Sequence, residues 1–162
     1  MKKTHVAWLI AAGLAVGAVA QAGGLWTEDY DKALTDAKQA NKYVLLDFTG
    51  SDWCGWCMKL DKQVFDKKDF KEFAEKNLVC VKLDFPRGKP QSKKVKEQNR
   101  ALQNKYKVQG YPTVLLLTPA GDVAAQTGYK EGGAKAYVEH LQGFMKEQPA
   151  AGKADPKKPG KP

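Results

Sequence analysis

Cysteine is scarce in this chain: Cys54, Cys57 and Cys80 are the only three in 162 residues. An odd and small number excludes a scaffold stapled by disulfides, which small exported folds use when their core is insufficient. Histidine is scarcer, with only His5 and His140. A structural zinc site takes four Cys or His ligands, usually in closely spaced pairs. Beyond Cys54 and Cys57 the chain offers Cys80 within an apolar run and His140 within a helical pattern, without that spacing. A metal centre is therefore not expected, and a Cys–His hydrolase has weaker support still. Long apolar runs are also missing. The longest apolar stretch, Val6 to Ala20, has fifteen residues, whereas a membrane-spanning helix needs about 20. Internal repeats are absent.

That apolar stretch follows Met1-Lys2-Lys3 and precedes Ala20-Gln21-Ala22. A positive start, an apolar centre and small residues at an A-x-A site make a secretory signal peptide over residues 1–22. The other reading is a retained anchor. No cysteine follows the run, so a lipid anchor at that point is not supported. Export would put the protein where disulfides persist, in the periplasm or another extracytoplasmic space. At the other end, 149–162 holds little but Pro, Gly, Ala and Lys, so a disordered basic tail is expected. The composition is 43% hydrophobic and 28% charged, which suits one globular domain over 23–148.

Within that domain the periodicity predicts helices over Glu28–Ala40, Cys54–Glu75 with a break near Asp66–Asp69, Ser92–Tyr106 and Glu131–Glu147. Short apolar runs predict strands over Tyr43–Phe48, Leu78–Phe85 and Thr113–Thr118. A turn at Pro119–Asp122 leads to a last strand, Val123–Gln126. The order αβαβαββα implies an α/β fold: a small mixed sheet with helices on both faces. Helix-separated strands are expected to pair in parallel and the final two to form an antiparallel hairpin.

Cys54 and Cys57 are spaced C-x-x-C, directly after a strand and at the start of a helix. Unpaired N–H groups and the helix dipole favour an anion there. A thiolate so placed ionises at about pH 3.5–7.5 rather than about 8.5. The first sulfur lies at the helix start. The second lies almost a turn further in, able to attack a mixed disulfide formed by the first.

The segment Phe48 to Cys57 (FTGSDWCGWC) resembles the active-site segment of the thioredoxin superfamily, especially exported bacterial thioredoxin-like proteins with a W-C-x-W-C core. Tyr106 to Thr113 (YKVQGYPT) resembles that family's cis-proline segment. The resemblance implies a thioredoxin fold over about Trp26 to Gln148 and thiol–disulfide exchange with protein substrates. It makes Cys54 the attacking and Cys57 the resolving cysteine of a redox-active disulfide. Asp47 would be a buried acid that moves protons for the resolving thiol. Trp53, Trp56, Tyr111 and Pro112 would shape the substrate groove, the Tyr111 backbone pairing with an extended client. No cofactor and no metal are implied. Partners would be protein thiols and disulfides plus a membrane or envelope redox partner, with the domain a monomer, free of the membrane after signal cleavage. Direction as reductase or isomerase is favoured; the alternative is a chaperone-like binding module with little redox activity.

This sequence departs from ordinary thioredoxins in three places. The Thr49–Trp53 stretch is longer by a residue, Trp56 stands where a rigid proline is usual, and the segment from Asp84 to Pro112 is longer. Arg87 to Lys107 carries eight positive charges against Glu97 alone. A solvated helix face, anchored by Val95, Leu102 and Tyr106, explains it more simply than docking to an acidic partner. Nucleic acid is not expected, since no aromatics interleave with these cations. Cys80 reads as a small buried hydrophobe.

Overall fold

A computed structural model describes residues 24–149. The expected signal segment lies outside the described residues, as does the basic tail apart from Pro149. Two residues, Trp26–Thr27, form a short strand β1. Helix α1 follows at Tyr30–Ala40, capped by Asp29, whose carboxylate accepts the Lys32 N–H at 3.0 Å. Strand β2 is Tyr43–Thr49 and helix α2 is Gly55–Leu60. The chain then widens into a π-turn at Asp61–Phe65, with the Asp66 N–H reaching back to the Asp61 carbonyl at 2.8 Å. Helix α3 (Lys68–Asn77), strand β3 (Leu78–Asp84) and helix α4 (Lys93–Lys105) come next. Strands β4 (Thr113–Leu117) and β5 (Val123–Thr127) lead to helix α5 (Gly133–Glu147).

The five strands lie in the order β1-β3-β2-β4-β5. β3 is parallel to both β1 and β2, whereas β4 runs antiparallel to β2 and to β5. The expectation of parallel pairing for helix-separated strands thus fails at β4. The α4 connection returns it beside β2 in the opposite direction. All seven residues of β2 are buried. A strand hydrogen-bonded on both edges and covered on both faces has no polar side to alternate with, hence the unbroken YVLLDF run.

Alternation along these strands divides the core. One face presents Leu45, Cys80, Val114 and Leu116 to α2, the π-turn, α3 and α5. The other presents Val44, Leu46, Phe48, Val81 and Leu115 to α1 and to Leu102 of α4. The π-turn matters to the first face: the extra residue in its turn lets both Val64 and Phe65 point inward, at 0% and 1% exposure. Phe65 then meets Trp26 at 5.0 Å and Tyr137 edge-on at 5.9 Å.

Helix α4 is anchored differently from the sequence expectation. Leu102 is buried, but Val95 is only half-buried. Polar groups hold the rest. Asn99, almost fully buried, donates to the Asp84 carbonyl at 2.9 Å. Gln98 accepts the Tyr30 N–H and donates to the Glu28 carbonyl. The helix ends in a Schellman motif: Lys107 N–H reaches the Asn104 carbonyl and Val108 N–H the Gln103 carbonyl. Lys107 adopts φ 54°, a left-handed conformation that suits glycine far better than a residue with a Cβ. Lys107→Gly is expected to stabilise the domain by about 0.5–1 kcal/mol. The check is a higher urea midpoint with an unchanged denaturant slope. Among the described residues, no helix is long and apolar enough to cross a membrane.

Candidate active site

The carboxyl ends of β2, β3 and β5 and the amino end of β4 share one edge of the sheet, and the site is built there. β2 delivers the chain into a tight turn, in which the Cys54 N–H donates to the Gly50 carbonyl at 2.9 Å. Position 50 faces the indole of Trp53: a Cβ there would fall 2.5 Å from Trp53 Cε2. Only glycine leaves that indole in place. Trp53 Nε1 donates to the Phe85 carbonyl at 2.8 Å, and the ring meets Tyr111 edge-on at 5.8 Å. The Arg87 guanidinium lies 3.9 Å from the centre of the same ring.

The loop before the cysteines and the segment after β3 answer each other. Asp52 accepts the backbone N–H of Arg87 at 3.0 Å and of Gly88 at 2.7 Å. Those donors hold its carboxyl below the ordinary carboxylate range. Asp84 in turn accepts the Ser51 N–H at 2.9 Å and its hydroxyl at 2.6 Å. The loop before the cysteines and the segment after β3 are therefore stitched together by carboxylates.

Cys54 is the N-cap of α2. Its sulfur accepts the Cys57 N–H at 3.2 Å, and the two cysteines are joined as a disulfide with Cα atoms 5.2 Å apart. Cys54 is 7% exposed and Cys57 2%. The difference in access runs in the expected direction, although both sulfurs are largely covered. The Tyr111–Pro112 peptide bond is cis. The end of β5 closes on this proline: a Cβ at Gly128 would approach the Pro112 carbonyl oxygen to 2.9 Å. Tyr111 is fixed by Gln103, which donates to its hydroxyl at 2.8 Å. Trp56, between the cysteines, is among the most exposed large apolar side chains at 56%. Its ring lies 5.1 Å from that of Tyr129, just after β5, and the Lys59 ammonium sits 4.6 Å and 4.8 Å from the two ring centres.

Asp47 lies on the sheet face covered by α2, with 1% exposure. Its Oδ1 has no hydrogen-bond partner, and its Oδ2 is 3.9 Å from Lys82 Nζ. That distance is an ion pair without a hydrogen bond. Lys82 gives its hydrogen bonds instead to Asp61 in the π-turn, at 2.8 Å and 3.1 Å. Burial accordingly pushes the Asp47 carboxyl up to about 7; Lys82 opposes the rise, while Asp61 and Asp84 add to it. Cys80, on the neighbouring strand, is a free thiol with 1% exposure. Burial and the nearby Asp47 drive its ionisation far above the ordinary thiol range.

Of the residues the sequence singled out, Cys54, Cys57, Trp53, Tyr111 and Pro112 lie together at one end of the sheet, Trp56 on the adjoining rim and Asp47 beneath. Sequence reasoning missed Asp52, Lys59, Asp61, Gly128 and Tyr129 as neighbours of the site. Lys59 alone had a local signal, standing three positions after Trp56 on the same helix. His140 lies between the Thr127 hydroxyl at 3.1 Å and the Phe144 ring at 4.5 Å.

The sequence profile of a thioredoxin-like domain matches residues 30–142. The disulfide bond reductase DsbH of Chlamydia pneumoniae is 38% identical over 77% of this chain and 75% of its own length. A solved structure of a DsbH oxidoreductase superposes with a TM-score of 0.72 at 35% identity, covering 84% of this chain and 94% of that one. The thioredoxin-related protein DsbJ of Chlamydia pneumoniae is 36% identical over 58% of this chain, which spans only 27% of that longer protein. With a disulfide in its C-x-x-C pair on the same fold, the chain belongs to the thioredoxin-like family and is a thiol–disulfide oxidoreductase.

Proposed function

We propose that this protein is an exported reductase of protein disulfides. The observation that carries the reading is the Cys54 sulfur, held as the helix cap with Cys57 directly behind it. In the reduced protein the same N–H would stabilise a Cys54 thiolate. That thiolate attacks a client disulfide, forming a Cys54–client bond and releasing one client thiolate. Cys57 then gives up its proton, for which Asp47 is the acceptor: a carboxyl titrating near neutrality can take a proton and return it. The Cys57 thiolate displaces the second client sulfur and closes the Cys54–Cys57 disulfide. Two electrons have passed to the client, so another dithiol, at the membrane or elsewhere in the envelope, must restore them. The client strand lies along the Tyr111 backbone, with Trp53 and Trp56 on either side of the sulfurs.

The reductive direction is supported by the 38% identical relative, a disulfide bond reductase, which also weighs against a module kept only for binding. Export is supported by the pattern over residues 1–22. Equilibration against glutathione couples tests the direction. A potential more negative than about −200 mV is expected, and one near about −120 mV would instead mark an oxidant. Mature protein isolated from the envelope is expected to begin at Gly23.

A further inference from the structure

Cys54 follows β2 and Pro112 precedes β4, the strands at the centre of the sheet order β1-β3-β2-β4-β5. Arg87 follows β3 and Tyr129 follows β5, on opposite sides of that centre. The disulfide is thereby flanked by two cation–aromatic stacks. On one side the Arg87 guanidinium covers Trp53, which is edge-on to Tyr111. On the other the Lys59 ammonium lies against both Trp56 and Tyr129, and Tyr129 is held by a 2.7 Å hydrogen bond from its hydroxyl to Gln63.

Neither cation has an ion-pair partner among the described residues. The neighbouring carboxylates are committed elsewhere. Asp84 is taken by Ser51, Asp52 by the backbone N–H groups of Arg87 and Gly88, and Asp61 by Lys82. Lys89 adds a third positive charge on the Arg87 side, its ammonium 3.1 Å from the Ser51 hydroxyl. An aromatic face holds a cation in place while leaving its outer side hydrated and its donors free. Charges so placed attract an approaching anion and fix its register more than they add to the affinity. The guanidinium also offers the paired donors that fit a carboxylate.

We infer that Lys59 and Arg87 make this site selective for client disulfides flanked by acidic residues on both sides of the reactive cysteine. The inference rests on the proposed reductase activity and names its substrate class. A client crossing between Trp53 and Trp56 brings its flanking side chains to the two stacks, and carboxylates there complete the pairs that the protein leaves open.

The experiment uses the reduced full-length protein and three synthetic disulfide-looped peptides, with Glu, Gln or Lys beside the cysteines. Rates are followed by stopped-flow tryptophan fluorescence. At low ionic strength the Glu peptide is expected to be reduced about tenfold faster than the Lys peptide. The ratio should fall to about twofold in 0.5 M salt, about where screening removes exposed pairs. The Lys59→Gln/Arg87→Gln double variant should show that twofold ratio already at low salt. The wild-type salt series needs no variant and so stands even if the double variant folds poorly. Equal rates for the Glu and Lys peptides, or a ratio insensitive to salt, overturn the preference while the Gln peptide still reports reductase activity. Failure to reduce even the Gln peptide overturns the reductase reading and the preference with it.

Discussion

Cys54→Ser should abolish disulfide reduction, lowering the rate of insulin reduction by on the order of 10³-fold or more. A serine hydroxyl at this position is neither ionised near neutral pH nor nucleophilic toward sulfur. Cys57→Ser should behave differently in kind. Its Cys54 thiolate still attacks, but nothing displaces the client, so a covalent adduct accumulates. Non-reducing electrophoresis and intact mass would show client bound to Cys57→Ser and none bound to Cys54→Ser. Adducts on the Cys54→Ser variant would reverse the assigned order of attack. The asymmetry follows from position: Cys54 caps the helix, while Cys57 lies within its first turn at 2% exposure.

Asp47→Asn should make stability and catalysis move in opposite directions. The folded protein holds the Asp47 proton up to about pH 7, against 3.8 for an ordinary aspartate. Between those values the folded state binds more protons than the unfolded chain, so stability declines as pH rises through the window. Above about pH 7 the carboxylate is charged in a buried place, with only the 3.9 Å approach of Lys82 to offset it. Asparagine removes that charge. At pH 8 the oxidised Asp47→Asn variant should be more stable than wild type by about 4 kcal/mol, the scale of such a shift. The gap should close near pH 4, where both side chains are neutral. Urea titrations at the two pH values check this. The same variant should release client from the mixed disulfide about tenfold to a hundredfold more slowly near pH 7, because the proton acceptor for Cys57 is gone. A variant no more stable at pH 8, or one that resolves adducts at the wild-type rate, would leave Asp47 as packing alone.

What the sequence disclosed depended on how local each signal was. The run Tyr43–Phe48 and the turn at Pro119–Asp122 carry their structure in neighbouring residues, and their strands were legible. β1 was not, because two residues such as Trp26–Thr27 have no periodicity; pairing with Cys80 and Val81 alone makes them a strand. The direction of β4 was equally hidden, since direction depends on which strand it meets. Helix α4 was found but its docking was misread. Apolar spacing pointed to Val95, whereas Asn99 and Gln98 do much of the holding through backbone groups far away in the chain. The site divides in the same manner. Cys54, Cys57 and Pro112 sit in recognisable short segments. Asp52 gives no local signal, because its partners at Arg87–Gly88 stand 35 and 36 positions away. The Asp61–Lys82 pair, which leaves Asp47 short of donors, joins a helix turn to a strand and has no trace in spacing.

The seclusion of the third thiol bears on how the protein is made. Once folded, Cys80 is kept from exchange with the working pair, because burial holds its thiol protonated and away from solvent. In the nascent chain all three sulfurs are equivalent, and two of their three possible pairings are wrong. Closure of the sheet over this residue before an oxidant arrives removes both wrong pairings. Export into an oxidising space, as proposed, would set collapse of the chain against cross-linking.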